Sequence, residues 1–167
     1  ENLVLYMKMM MKNNLLNPFA IIDIGSNSVR CMFVKDGKRD KVTISTRLGE
    51  GLSFSTTLLP TAIERTVNAV AELYALAVKR GAKSIYAFAT AAVRNSTNGN
   101  VFVEEVKRRI GLDVDVVSGE LEAELALNGA TMGLDGGVID VGGASSEVSY
   151  RENKKKNCLS ACQLLEA

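Results

Sequence analysis

Phe19-Ala20-Ile21-Ile22-Asp23-Ile24-Gly25-Ser26-Asn27-Ser28-Val29-Arg30 is the segment from which the architecture of this chain follows. An apolar run reaches Asp23, a glycine and three small polar residues come next, and a second apolar run resumes at Cys31-Met32-Phe33-Val34. The pattern predicts two strands joined by a tight turn, with Asp23 at its mouth. Gly25 lets the backbone approach a ligand closely. Ser26, Asn27 and Ser28 bring backbone N–H groups and side-chain donors to the tip, a setting that suits phosphate. A polar hairpin turn without any ligand shares this local pattern.

A second stretch has the same grammar. Val138-Ile139-Asp140-Val141-Gly142-Gly143-Ala144-Ser145-Ser146-Glu147-Val148 again gives an apolar strand, an aspartate, a glycine turn, hydroxyls and a strand. Such an internal repeat suggests two related hairpins facing one polyphosphate ligand from opposite sides. Chance recurrence of a turn pattern is the alternative.

Composition bounds the rest. The 167 residues suffice for one ordinary domain and a little more. Hydrophobic residues make up 47% and aromatics only 5%, so the core is aliphatic. A net charge of +1 argues against a nucleic-acid binder that relies on a basic face. No apolar run approaches the roughly 18 residues of a membrane span. The chain has no histidine, which excludes Ser-His-Asp and Cys-His chemistry within it and leaves Asp or Glu, and behind them Lys or Tyr, as the general base. Cys31 falls in a predicted buried strand and reads as a core residue. Cys158 and Cys162 lack the further ligands that zinc requires. An odd cysteine count fits a reducing, cytoplasmic setting.

Residues 1–16 show no stable period and read as a flexible leader. Strands are predicted at 19–24, 29–35 and 41–46, with Asp36-Gly37 as a hairpin turn. A loop covers 47–59, where Arg47 is either an anion contact or a solvated side chain. Thr61-x-x-Glu64 matches a capping box. Ile63, Val67, Val70, Tyr74 and Ala77 recur at helical spacing until Gly81. Ser84–Ala89 reads as a buried strand parallel to the first. Arg94 follows its C-terminal end, where open α/β sheets place ligands. It suits either bidentate phosphate binding or a surface ion pair. A helix over 101–110, a strand over 113–117 and a helix from Ser118, its N-cap, to about 128 follow. Glu120, Glu122 and Glu124 lie in the first turns of that helix. The helix dipole favours carboxylates there without any catalytic role. A general-base reading requires one of them, Glu122 being the candidate, to reach the cleft.

The element order is β-β-β-α-β-α-β-α and then β-β. It describes an α/β, ribonuclease-H-like domain over 17–133 and the opening hairpin of a second lobe over 134–152, with an irregular tail over 153–167. A lone hairpin is marginal in water. The chain therefore reads as an N-terminal portion of a longer protein, whose open strand edges could support a homodimer.

Four segments carry a family resemblance: Ala20–Arg30, Ala89-Thr90-Ala91-Ala92-Val93-Arg94, Val117-Ser118-Gly119-Glu120-Leu121-Glu122-Ala123 and Val138–Glu147. In order and spacing they resemble the exopolyphosphatase/guanosine pentaphosphate phosphatase (Ppx/GppA) family of the actin-like ATPase superfamily. The resemblance implies a hydrolase that removes terminal phosphate from inorganic polyphosphate or guanosine pentaphosphate, with Mg2+ as cofactor. It implies Glu122 as the residue that activates water and Arg94 facing the phosphate chain. Gly25, Ser26, Asn27 and Ser28 match the first phosphate loop, and Gly142, Gly143, Ser145 and Ser146 the second. Asp140, Glu147 and Asp23 match the acidic residues near the metal. Ala144 and Leu121 depart from the family pattern. A non-hydrolytic ATP-binding or kinase-type member, or a degenerate regulatory module, would carry the same loops. The expectation for the chain by itself is little processive activity.

Overall fold

Ala20, Ile22 and Ile24 are buried and alternate with half-buried Phe19, Ile21 and Asp23 along β1 (Phe19–Ile24), so the strand presents one face to the core. The computed structural model describes residues 17–132, 134–141, 146–152 and 155–161, and at 140, 141, 146, 147 and 155–161 it describes the backbone alone. β2 (Ser28–Lys35) pairs antiparallel with β1 in the register Ile24↔Val29, Ile22↔Cys31 and Ala20↔Phe33. Cross-strand partners share a face, so Val29 and Cys31 extend the buried stripe. Burial pushes the Cys31 thiol up, in keeping with a core residue. β3 (Lys38–Ser45) follows through Asp36 and Gly37, whose φ values of 52° and 74° make the mirror-image turn that matches strand twist.

α1 (Pro60–Lys79) starts differently from the capping-box expectation. Leu59 is the N-cap, with no side-chain capping bond, and Pro60 opens the helix. Proline presets the helical φ and loses an N–H that has no partner there anyway. Thr61 therefore lies inside the helix and cannot cap it. Gly81, at φ 84°, ends the helix as expected, with Gly81 N–H donating to the Val78 carbonyl and Ala82 N–H to the Ala77 carbonyl. β4 (Ser84–Ala89) pairs parallel with β1, and β5 (Val114–Val116) parallel with β4. Between them lie a single turn, α2 (Ala91–Arg94), and α3 (Gly99–Ile110), which begins two residues before the sequence-based boundary. The sheet order is β3-β2-β1-β4-β5. Ile63, Val67, Val70 and Leu73 of α1 and Phe102 and Val106 of α3 pack on its buried face.

α4 (Gly119–Thr131) extends beyond the expected end at 128, closing at Met132 with φ 52°. β6 (Gly136–Val141), β7 (Ser146–Glu152) and β8 (Lys155–Ala161) form a separate antiparallel sheet in that order. β8 replaces the irregular structure expected over 155–161, while 153, 154 and 162–167 lie outside the described residues. Lys155-Lys156-Asn157-Cys158 has no apolar alternation to reveal a strand. Its order comes from pairing along β7, from Glu152↔Lys155 to Ser146↔Ala161. Among the described residues no helix is long and apolar enough to cross a membrane.

An ion-pair cluster joins α1 to α3. Arg109 donates through Nη1 to Glu64 Oε1 at 2.9 Å and through Nε to Glu105 Oε1 at 2.6 Å, while Arg108 also holds Glu105. The Arg108 and Arg109 guanidiniums lower the Glu105 carboxyl from 4.5 to about 2, and Arg109 lowers Glu64. A depressed carboxyl stabilises the fold fully above its ordinary value and loses that contribution as pH falls toward the folded value. Arg109→Ala is therefore expected to lower the melting temperature modestly near neutrality, since exposed pairs contribute weakly, and to leave it unchanged near pH 2, which flattens the decline between pH 4.5 and about 2. Thermal melts across that range check it; curves with the same acid slope for both proteins would refute it.

Candidate active site

The edge of the sheet where β1, β4 and β5 end gathers most of the expected site. Backbone bonds fix its order: Thr90 N–H donates to the Ile24 carbonyl at 3.2 Å, and Val117 N–H to the Ala89 carbonyl at 3.0 Å. The turn after β1, the segment after β4 and the start of α4 thus stand side by side, at the C-terminal ends of parallel strands.

In the first turn, Gly25 N–H donates to the Ser28 carbonyl at 3.0 Å. A Cβ on Gly25 would lie 3.3 Å from that same oxygen, so the turn is too tight for a side chain there without adjustment. The Ser26 carbonyl accepts from Gly49 N–H at 2.9 Å, and the Asn27 carbonyl accepts from Thr46 and Arg47 N–H, each at 3.0 Å. In a trans peptide the N–H points opposite to the C=O. The amides of Asn27 and Ser28 are therefore directed away from residues 46–49. Ser26 is buried, whereas Asn27 is exposed at the tip. Asp23 lies within 3.7 Å of Arg30, its register partner on β2.

Arg94 is the last residue of α2, a turn nucleated by bonds from Val93 and Arg94 N–H to the Thr90 carbonyl. Its Nη1 donates to the Val117 carbonyl at 2.8 Å and to Glu122 Oε2 at 2.9 Å. The side chains are only 23% and 18% exposed, slightly less than those of the Arg109–Glu105 pair at 27% and 24%. Of the two sequence readings of Arg94, the ion pair is what forms, and its partner is the candidate base. Glu122 is turned toward the sheet edge, unlike exposed Glu120. The sequence places it there through the cap: Ser118 Oγ accepts from Leu121 N–H at 3.2 Å and starts α4 directly after β5. Leu121 serves the cap through its backbone, so the departure from the family pattern leaves Glu122 in place.

The second hairpin packs along α4. Ser149 Oγ donates to the Ala123 carbonyl at 3.4 Å, and Arg151 Nη2 to Asn128 Oδ1 at 2.7 Å. β7 therefore runs along α4 in the same direction, and its first residues lie toward the helix N-terminus that carries Glu122. Gly142, Gly143 and Ser145 lie outside the described residues, as does Ala144, while Asp140, Ser146 and Glu147 are placed by backbone only. Asp140 pairs in register with Glu147, seven residues on, as Asp23 pairs with Arg30. The two hairpins share one strand register.

Among the described residues no three acidic, cysteine or histidine side chains gather into a metal-holding group. Hard oxygen donors suit a magnesium ion. Asp140 and Glu147, two carboxylate residues on facing register positions, have the right donor chemistry. Asp23 fits less well, because its register partner is a cation. Sequence reading missed Arg65 and Asn98, which hold the loop beneath the first turn; nothing local distinguishes an arginine on an exposed helix face.

Comparison with known proteins agrees with this architecture. Residues 38–164 match the model of the Ppx/GppA phosphatase family. A guanosine-5'-triphosphate,3'-diphosphate pyrophosphatase of Pseudoalteromonas translucida is 35% identical over 147 residues, 82% of this chain and 29% of the relative. Its counterpart in Photobacterium profundum is 29% identical over 92% of this chain and 33% of the relative. The crystal structure of the Aquifex aeolicus Ppx/GppA family member superposes with a TM-score of 0.73 at 32% identity, over 87% of this chain and 51% of that one. The chain thus spans about a third to a half of the length of these relatives. With its fold, its order of motifs and these matches in agreement, the chain belongs to the Ppx/GppA phosphatase family.

Proposed function

We propose that this chain is part of a phosphoanhydride hydrolase that removes the terminal phosphate of inorganic polyphosphate or guanosine pentaphosphate. The observation that carries this reading is the Arg94–Glu122 pair, largely buried beside the turn at 25–28. Glu122 accepts a proton from a water as that water's oxygen bonds to the terminal phosphorus. The bond from phosphorus to the bridging oxygen breaks, and the shortened chain departs with its electron pair. Arg94 orients the Glu122 carboxylate and brings positive charge to the phosphate oxygens. The outward amides of Asn27 and Ser28, with the Asn27 side chain, hold the preceding phosphate. Gly142, Gly143, Ser145 and Ser146, which match the second phosphate loop of the family, would bind the next phosphates. Asp140 and Glu147 would hold a magnesium ion, which would supply charge neutralisation. Phosphoryl transfer needs positioning and electrostatics more than covalent chemistry, and this residue set is of that kind.

The two relatives named pyrophosphatases support the nucleotide substrate, and the family description supports a phosphatase. The same chemistry serves polyphosphate. Because the chain spans a third to a half of its relatives, its own turnover is expected to be far below that of the Aquifex aeolicus protein. Phosphate release from long-chain polyphosphate and from guanosine pentaphosphate, with magnesium and with chelator, tests the proposal. Release that is slow, magnesium-dependent and specific to these substrates is the expected result. Tight ATP binding without any binding of polyphosphate would favour a kinase-type protein instead. Turnover equal to that of the Aquifex aeolicus protein would refute the expectation of low activity.

A further inference from the structure

Residues 46–58 form a strap between β3 and α1. At its near end the strap donates to the Ser26 and Asn27 carbonyls of the first turn. At its far end Leu58 N–H donates to Asn98 Oδ1 at 2.8 Å, Asn98 Nδ2 returns a bond to the Leu58 carbonyl at 3.0 Å, and Thr97 N–H donates to the Thr56 carbonyl at 2.8 Å. The strap thus ties the turn at 25–28 to the segment that follows Arg94. Leu48 and Leu58 are fully buried and pin it to the core.

Arg65 of α1 holds the near end. Its Nε donates to the Thr46 carbonyl, and its Nη2 donates to the Arg47 carbonyl at 3.3 Å and to Glu50 Oε2 at 2.8 Å. Arg47 has φ 49°, a left-handed conformation uncommon outside glycine, so this corner requires outside support. The contacts also form a directed chain. The peptide joining Thr46 to Arg47 accepts from Arg65 at its oxygen and donates from its N–H to Asn27. The next peptide accepts at the Asn27 oxygen and carries the Ser28 N–H at its other end. Successive hydrogen bonds polarise one another, and a cation at the head strengthens the donor at the tail.

We propose that Arg65 is a positioning residue for the phosphate turn, acting through the strap to fix the turn and to sharpen the Ser28 amide as an anion donor. The proposal rests on the reading of residues 25–28 as a phosphate loop. Arg65 does not touch the phosphate; its role is carried by the peptides at 46–47 and 27–28.

The test combines amide hydrogen exchange with calorimetric binding of magnesium tripolyphosphate, using the full 167-residue chain and its Arg65→Ala, Arg65→Gln and Arg65→Lys variants. Arg65→Ala and Arg65→Gln are expected to speed exchange at the Thr46, Arg47 and Gly49 amides and to weaken binding about tenfold. Exchange at Ile22 and Val67 stays unchanged, which shows that the core is intact. Arg65→Lys retains a cation and recovers part of the affinity. Faster strap exchange with unchanged affinity overturns the proposal. Weaker affinity with unchanged strap exchange overturns it too, because Arg65 would then act without the strap. If the unaltered chain fails to bind tripolyphosphate, the phosphate-loop reading fails and the proposal falls with it. If the unaltered chain binds and Arg65→Ala binds equally well, only the proposal fails.

Discussion

Glu122→Gln is expected to lower phosphate release by about 10²–10⁴-fold, the usual contribution of a positioned general base. The amide matches the carboxylate in shape. Its oxygen still accepts from Arg94 Nη1, which now stands 2.9 Å from Glu122 Oε2. Arg94 also keeps its bond to the Val117 carbonyl at 2.8 Å, so the guanidinium has a second anchor. The cap at Ser118 uses the Leu121 backbone and is untouched. The fold therefore survives, and the variant should melt within a few degrees of the parent. What the amide cannot do is take a proton from water at neutral pH. If Glu122 acts on the water as proposed, substrate affinity should change far less than turnover. Phosphate-release kinetics with polyphosphate, alongside a thermal melt, separate these effects. A variant with parental turnover would show that Glu122 is only a structural partner of Arg94, as in a regulatory module.

Gly99→Ala should damage the same site through the backbone. A Cβ at Gly99 would lie 2.2 Å from the Val93 carbonyl oxygen and 3.1 Å from both the Val93 carbonyl carbon and Ser96 Oγ. The first distance is far inside van der Waals contact, and backbone on both sides must separate. That oxygen already accepts from Ser96 Oγ at 3.1 Å, so it has little room to withdraw. Overpacking of this kind costs about 3 kcal/mol. In a chain of this size the melting temperature should fall by roughly 10 °C. Val93 is joined to Arg94, so a displaced carbonyl also shifts the guanidinium away from Glu122. Ala92→Gly is a useful companion, since it loosens the same corner without a clash and should leave the Arg94–Glu122 geometry closer to native. A Gly99→Ala protein as stable as the parent would mean that α2 and α3 do not approach as closely as described.

The strands and the site were legible to different depths. β1, β4 and the turn at Asp36-Gly37 carry their apolar periods and turn residues in the open. Ser118 announces the start of α4, and the resemblance at Val117–Ala123 identifies Glu122. The start of α3 was less legible: Gly99 lies between two asparagines, yet it opens the helix two residues before 101, packed where a Cβ would meet the Val93 carbonyl. Pro60 displaced the capping box for a local reason that is visible in sequence, since its preset φ outweighs a threonine one position later. β8 was illegible because its order comes from a neighbour and not from its own pattern. Arg65 was illegible for a similar reason. Its acceptors lie on a segment distant in sequence, and only the folded chain brings them together.

The equal seven-residue register of the two hairpins has a further consequence. One architectural part has been used twice with the charge facing the aspartate reversed, an arginine in the first copy and a glutamate in the second. On the function proposed above, the first ribbon would meet a polyanion as a balanced pair of charges, whereas the second, with two carboxylate residues on facing register positions, would need a cation before it could do the same.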